Sequence, residues 1–429
     1  MSPIRGACAI VVTTAWLAGM VVAPSRVAAR DIGPEANLCA EINSLSPGEE
    51  LVLRPGEYQG PCAIRRGGDA GAPVTIRAAD LGHRPRVVYN GSTANVLEIR
   101  ASHIRVRGLE FGPTRPDVDA VRIFSGSDIA IEDCWFSQVG GIAVVANHSS
   151  VRGLAVRRNV ILGSKATGMY FGCHDGTSCV VQDLFVEGNY IRGVTAPDPQ
   201  IGYGLEVKLN SSGIIRDNII VDTKGPAIMV YGARDLAAVS LVERNVAIGS
   251  RTSSGIVVGG GPAIVRNNIA ASNAEAGIGV EDYKMRGLTR AIIVANNTVY
   301  MNGVGGIMMP ESGVRDVTVV NNAAHVRTGP RALPESRPGL RLAGNADCTL
   351  VRCFANPDGM DFSPFPGSLL VGMGITGLGN RGLGNWGLGN WGLGDWLPRE
   401  DFFGTRRGAR PTAGAIEKPS GPIRTGPPS

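Results

Sequence analysis

An all-β solenoid of short strands, coiled and stacked in parallel, is the fold that this 429-residue sequence predicts, and three observations predict it. The first is a repeat. IRVRGLEF at Ile104, IAIEDCWF at Ile129, LAVRRNVI at Leu154 and LFVEGNYI at Leu184 are followed by IIRDNII, LVERNVAI, AIVRNNIA, IIVANNTV and VTVVNNAA. They place Asn159, Asn189, Asn218, Asn245, Asn268, Asn297 and Asn322 in one column, with Gly108 and Cys134 in the two earliest copies. Copies recur about every 23 to 30 residues, the length of one solenoid coil. The second observation is a companion strand in each coil, and the third is composition. Glycine at 60 residues, 5% aromatics and 18% charge suit many tight turns around a thin aliphatic core.

The companion strands are GIAVV at Gly141, GMYFG at Gly168, GLEVK at Gly204, AIMVY at Ala227, GIVVG at Gly255, GIGVE at Gly277 and GIMMP at Gly306. Period-two alternation turns Ile142/Val144, Met169/Phe171, Leu205/Val207, Ile228/Val230, Ile256/Val258, Ile278/Val280 and Ile307/Met309 inward. Each coil therefore carries at least two strands, and the turn between them is too short for a crossover helix. Stacking such coils about 4.8 Å apart makes a parallel β-helix, here of about nine to eleven coils. The Asn column then forms a ladder of side-chain amides.

Residues 1–29 read as a signal peptide: Arg5, an apolar run from Ala7 to Ala23, and small residues before Arg30. The run is short for a membrane span and contains Thr13, Thr14 and Gly19, so cleavage near Ala29 and a secreted or periplasmic protein, free of the membrane, are expected. Residues 30–95 should cap the first coils, and 96–345 form the β-helix. Residues 346–417 make a C-terminal cap segment, with the GLGNW-type repeats of 377–396 as a flexible insert. The tail, 418–429, reads as disordered.

Loss of Arg5 and Arg26 lowers the formal net charge from +5 to about +3, which gives no reason to expect nucleic acid. Of the seven cysteines left, local spacing pairs Cys39 with Cys62, Cys173 with Cys179, and Cys348 with Cys353. Cys134 remains as a buried thiol in the ladder column.

SPGEELVLRPGEYQG, APVTIRA and IRVRGLEF, in that order, resemble the opening of right-handed β-helix polysaccharide lyases of the chondroitinase B and alginate lyase kind. The resemblance covers the first third of the chain, and the closing DFFGTRRGARPTAGAIE is similar to the end of that class. It implies an acidic polysaccharide as partner; a monomer is expected.

On the coils, Tyr170, Glu206, Lys208 and Tyr231 point outward and are expected to share a shallow patch, walled by the loops Gly172–Val180 and Arg192–Gly202. Lyases and epimerases acting on uronates need a carboxylate neutraliser, a base and, for elimination, an acid. Lys208, Tyr170 or His174 can serve as base and Tyr231 as acid. Lys208, Arg234, or a calcium ion held by Glu206, Asn210 or Asp175, can neutralise. The resemblance implies acidic calcium ligands before a catalytic Lys, with an Arg on the next coil. This chain has no second carboxylate beside Glu206, and Tyr231 stands where that Arg is expected. Lyase or epimerase chemistry is the first expectation, hydrolysis lacks a clear carboxylate pair, and a non-catalytic glycan-binding surface protein is the alternative.

Overall fold

The computed structural model describes residues 28–376 and 397–427. Nearly all of the expected signal peptide and the repeats carrying Trp386, Trp391 and Trp396 lie outside them. Three parallel sheets run the length of the rod, with 14, 12 and 10 strands. Thirteen coils follow one another in the largest sheet, against the nine to eleven expected. The difference lies at the N-terminal end, where Ala29–Ile32, Glu50–Leu53 and Val74–Ala78 already wind as that sheet's first three strands.

A complete coil has three strands because the Asn-bearing motif is itself two. Gly213–Arg216 and Ile219–Thr223 flank a corner made by Asp217 and Asn218, and Ile228–Val230 is the third strand. Asp217 takes the left-handed conformation (φ 57°), as do its counterparts Arg158, Arg244, Asn267, Asn296 and Asn321. Asn218 follows inside the turn, where its Nδ2 donates to Asn245 Oδ1 at 2.9 Å and to Val186 O at 3.1 Å. The ladder runs unbroken from Asn159 to Asn345, one rung past the expected column. At its start the expected register is corrected. Arg107 pairs with Glu132, so Gly108 is the left-handed corner (φ 76°) and Leu109 occupies the column next to Cys134.

The ten-stranded sheet holds the companion strands. Their inward residues fill the core as expected, with one correction: Val144 pairs with Met169 and Ala146 with Phe171, so that coil turns Val144 and Ala146 inward rather than Ile142 and Val144. Each fully buried Val or Ile side chain contributes about 2 kcal/mol.

At the N-terminal end the helix Leu38–Asn43 covers the first coil. The Asn37 side chain accepts from Ala40 N at 3.0 Å, Leu38 and Ile42 are buried, and Cys39 is bonded to Cys62 on the strand Cys62–Ile64. The other two expected disulfides, Cys173–Cys179 and Cys348–Cys353, are also present. Cys134 is buried and free, its thiol pushed up to about 12 by loss of water.

The C-terminal segment lies along the side of the rod. Phe354, Phe362, Leu370, Ile416 and Ile423 pack on Val246, Ile269 and Ala323 outside the twelve-stranded sheet. Arg407 Nη2 donates to Asn267 Oδ1 at 2.8 Å, and Ala415 N to Thr298 Oγ1 at 2.9 Å. In the tail expected to be disordered, Ile423 is buried and its N donates to Met360 O at 2.9 Å, while Lys418, Pro419, Ser420, Pro422, Arg424 and Pro427 are exposed. The cause is apolar surface: these coils turn Val246 and Ile269 outward, and such residues require a cover. Among the described residues no helix is long and apolar enough to cross a membrane.

Candidate functional site

The outer face of the ten-stranded sheet carries the candidate chemistry. Register places Tyr170, Glu206, Met229 and Val257 in one outward column. A second column follows the strand ends: Lys208 N donates to Phe171 O at 2.8 Å, Tyr231 N to Val207 O at 3.0 Å and Gly259 N to Val230 O at 2.8 Å. Gly172, Lys208, Tyr231 and Gly259 are therefore neighbours on successive coils. The flanking glycines make room. A Cβ on Gly172, which has φ 94°, would fall 2.3 Å from Ser211 Oγ, and one on Gly259 would fall 3.0 Å from Tyr283 Cβ.

Tyr170, Glu206, Lys208 and Tyr231 converge as the sequence predicts, in a closed chamber and not in a shallow patch. The Lys208 and Glu206 side chains are 4% and 2% exposed, and Lys208 Nζ lies 2.6 Å from Glu206 Oε2. Nζ also donates to Tyr231 OH at 3.3 Å, which in turn donates to Glu206 Oε2 at 3.4 Å. Tyr203 OH is 3.0 Å from Tyr231 OH. The ammonium sits 4.4, 4.6 and 5.7 Å from the ring centres of Tyr231, Tyr170 and Tyr203, a cation caged by π-faces.

Residues 281–289 form the roof. Tyr283 stands edge-on to Tyr231, with centroids 4.7 Å apart at 85°, and Leu288 is buried among Tyr203, Met229 and Val257. Asp282 holds the roof's return, accepting from Gly287 N at 2.9 Å, while Lys284 and Met285 take left-handed φ values of 57° and 51°. Lys284 Nζ reaches His174 Nε2 at 3.2 Å, joining roof to disulfide loop. Sequence reasoning missed Tyr203, Tyr283 and Leu288. EDYKMRGLT interrupts the repeat just as the two noted loops do, and that interruption was the available signal.

Burial pushes the Glu206 carboxyl up and the Lys208 ammonium down. Each opposes the other's shift, Glu206 tending to raise Lys208 through its charge and hydrogen bond, but loss of water acts more strongly. The two affinities for the proton are drawn together. Burial also raises the phenols of Tyr170, Tyr203 and Tyr231, and the nearby Glu206 carboxylate raises them further. His174 is lowered by partial burial and by Lys208, Lys284 and Arg286.

The remaining expected residues do not join the chamber. The Asp175 carboxylate is spent on its own loop, accepting from Thr177 N at 2.8 Å, Ser178 N at 2.9 Å and the Ser178 hydroxyl, which hold it down at about 2. Asn210 fastens two connections, donating to Gly176 O at 2.7 Å and accepting from Arg234 N at 2.9 Å. Arg234 is exposed. Glu206 faces Lys208 where a calcium site would need further carboxylates, and among the described residues no group of three or more His, Cys, Asp or Glu is placed to hold a metal ion.

Residues 177–354 match the family described as the right-handed β-helix region. XylC in complex with xylose has a similar fold: 10% identity, 72% of this chain and 80% of that chain covered, TM-score 0.52. Pectate lyase Pel9A shows 14% identity over 92% of this chain and 98% of its own, with a TM-score of 0.48. An alginate lyase from Paenibacillus sp. str. FPU-7 shows 15% identity over 74% and 97%, with a TM-score of 0.46. No curated protein matches this sequence. The chain is a right-handed parallel β-helix protein, and at these identities the likeness is one of fold.

Proposed function

We propose that this protein acts on an acidic polysaccharide outside the cytoplasm, by lyase or uronate epimerase chemistry. The observation that carries the reading is the meeting of Lys208, Tyr231, Tyr203 and Tyr170 around Glu206 on the outward face of one sheet. Similar folds occur in proteins described as pectate and alginate lyases. The three disulfides fit an oxidising compartment.

Chemically, Lys208 gives its proton to Glu206 and, once neutral, removes the proton from the carbon beside the uronate carboxylate. In elimination the C4–O bond then breaks, a C4=C5 double bond forms, and Tyr231 protonates the leaving oxygen with Tyr203 behind it. In epimerisation the C4–O bond stays intact, Lys208 keeps the proton it removed, and Tyr231 delivers a proton to the opposite face of the deprotonated carbon. Lys284 and Arg286 on the rim neutralise the carboxylate, with Arg234 further out on the surface, and His174, whose proton affinity is lowered, is a further candidate base. Asn210 and Asp175 act by holding the loops. Tyr170 lines the chamber as a second candidate base. A sugar reaches Lys208 from the side of half-buried Tyr170, where side chains have to shift, while the roof closes the other side. That closure also supports the other reading, a protein that binds glycan without turning it over.

Absorbance of unsaturated uronate across alginate, pectate and glycosaminoglycan panels tests this. Lys208→Ala should abolish the signal, and Tyr231→Phe should lower it about 100-fold, the scale of a lost general acid. No absorbance and no change in uronate epimer ratio by NMR with the native protein would leave binding alone.

A further inference from the structure

The two outward columns continue from Lys208 towards the N-terminal end of the rod. One runs Tyr170, Val145, Arg122, Glu98. In the other, Gly172 N donates to Ala146 O at 2.7 Å and Phe124 N to Ile99 O at 2.8 Å, which sets Lys208, Gly172, Asn147, Phe124 and Arg100 on consecutive coils. Three coils, about 14 Å, separate Phe124 from Lys208.

The two sides of Lys208 differ. On the C-terminal side Met229, Tyr231 and Val257 are each 2% exposed beneath Leu288 and Tyr283. On the N-terminal side Arg100 and His148 are exposed, Arg122, Phe124, Asn147 and Tyr170 are half-buried, and only Val145 and Gly172 of the two columns are covered. Here the side chains are already set. The Arg100 guanidinium lies 3.7 Å from the Phe124 ring centre and is held by Glu98 at 3.0 Å. Arg122 spans Asp119 at 2.7 Å and Asn147 Oδ1 at 2.8 Å, and His148 meets the Phe124 edge at 5.0 Å. Fixed guanidinium groups beside an aromatic ring match a sugar ring that bears a carboxylate. A glycan cannot pass beyond Lys208 in the same direction, because the roof fills the path.

We propose that the face from Arg100 to Tyr170 is the track for an acidic glycan, and that it ends blind at Lys208, so that the protein engages chain ends and not chain interiors. This rests on the function proposed above and adds its direction and mode.

Calorimetry with oligogalacturonates, oligomannuronates and oligoguluronates of two to six units, and with chains of about twenty units, tests it. Affinity should rise with length until the track, four coil spacings or about 19 Å from Arg100 to Lys208, is filled and then level off. One long chain should saturate with one protein, measured with Tyr231→Phe, or with the native protein if that variant misfolds. Arg100→Gln and His148→Ala, both at exposed positions, should each weaken binding about tenfold, the loss of one charge-assisted hydrogen bond. Turnover, where it occurs, should release small products of one size while viscosity falls slowly. Several proteins per long chain, or an early collapse of viscosity, overturns the blind end and leaves the acidic-glycan reading standing. Unchanged binding in both variants overturns the track. No binding or turnover with any of these glycans, nor with glycosaminoglycan oligosaccharides, overturns this inference and the function together.

Discussion

The Asn corner and the Lys208 chamber both bury polar groups completely, yet they do so in opposite ways. Along the corner, each amide donates to the next coil and accepts from the previous one, so every rung satisfies its neighbours and the pattern repeats from Asn159 to Asn345. In the chamber a single Lys–Glu pair appears on one strand, and a separate roof has to be supplied to cover it. Buried polarity that repeats with the coil maintains the rod. Buried polarity that occurs once, with its own lid, carries a desolvation cost that the rod does not need, and such a place is a functional candidate.

The contrast can be broken first at the ladder. Asn218→Ala removes two donations and leaves Asn189 N and Nδ2 without their acceptor, all fully buried. Unsatisfied buried groups of this kind cost about 1–3 kcal/mol each, so a loss of about 4 kcal/mol is expected. Urea unfolding should show it, together with lost amide protection on the flanking coils. The chamber should respond differently. Glu206→Gln strands a buried ammonium and should cost about 3 kcal/mol, whereas Glu206→Gln with Lys208→Met should recover most of that loss. If the single and double variants unfold alike, the pair is not the isolated, lid-covered charge that the comparison takes it to be.

A smaller effect concerns pH. His174 has a lowered pKa among Lys208, Lys284 and Arg286, with Asp175 alone opposing them. The state with the roof open therefore binds the proton more readily. The Lys284–His174 contact is intact above the ordinary imidazole value of about 6.5 and weakens as pH falls through it. Hydrogen exchange across residues 281–289 should quicken between pH 7.5 and 5.5, corrected for intrinsic rates, and His174→Gln should remove that dependence. The smallest expectation is a silence: Cys134, with its thiol raised to about 12 and buried, should not react with a thiol reagent at pH 8 until the protein is denatured.

Much of the rod was legible because its signals are periodic. The Asn column and the inward pairs each recur once per coil, so a misplacement such as Gly108 for Leu109 shifts one rung and leaves the rest intact. The third sheet was not legible, since a corner of two residues such as Asp217–Asn218 reads as one continuous strand unless the left-handed residue is recognised. The convergence of Tyr170, Glu206, Lys208 and Tyr231 followed from register alone. Their enclosure did not, because Tyr283 and Leu288 arrive from an interruption with no periodicity, and Tyr203 lies outside the strand whose alternation was read. The docking of Ile423 was hidden for a related reason: its partners on the twelve-stranded sheet lie far away in sequence, and a Pro- and Gly-rich tail carries no pattern of its own.

That docking changes how the rod should come apart. Stacked coils that touch only their neighbours can fray one at a time from either end. Here Arg407 grips Asn267, 140 residues earlier, and Ala415 holds Thr298. The last stretch of chain thus works as a splint across several coils, so the C-terminal half should melt as one block while the unsplinted N-terminal half remains free to loosen coil by coil.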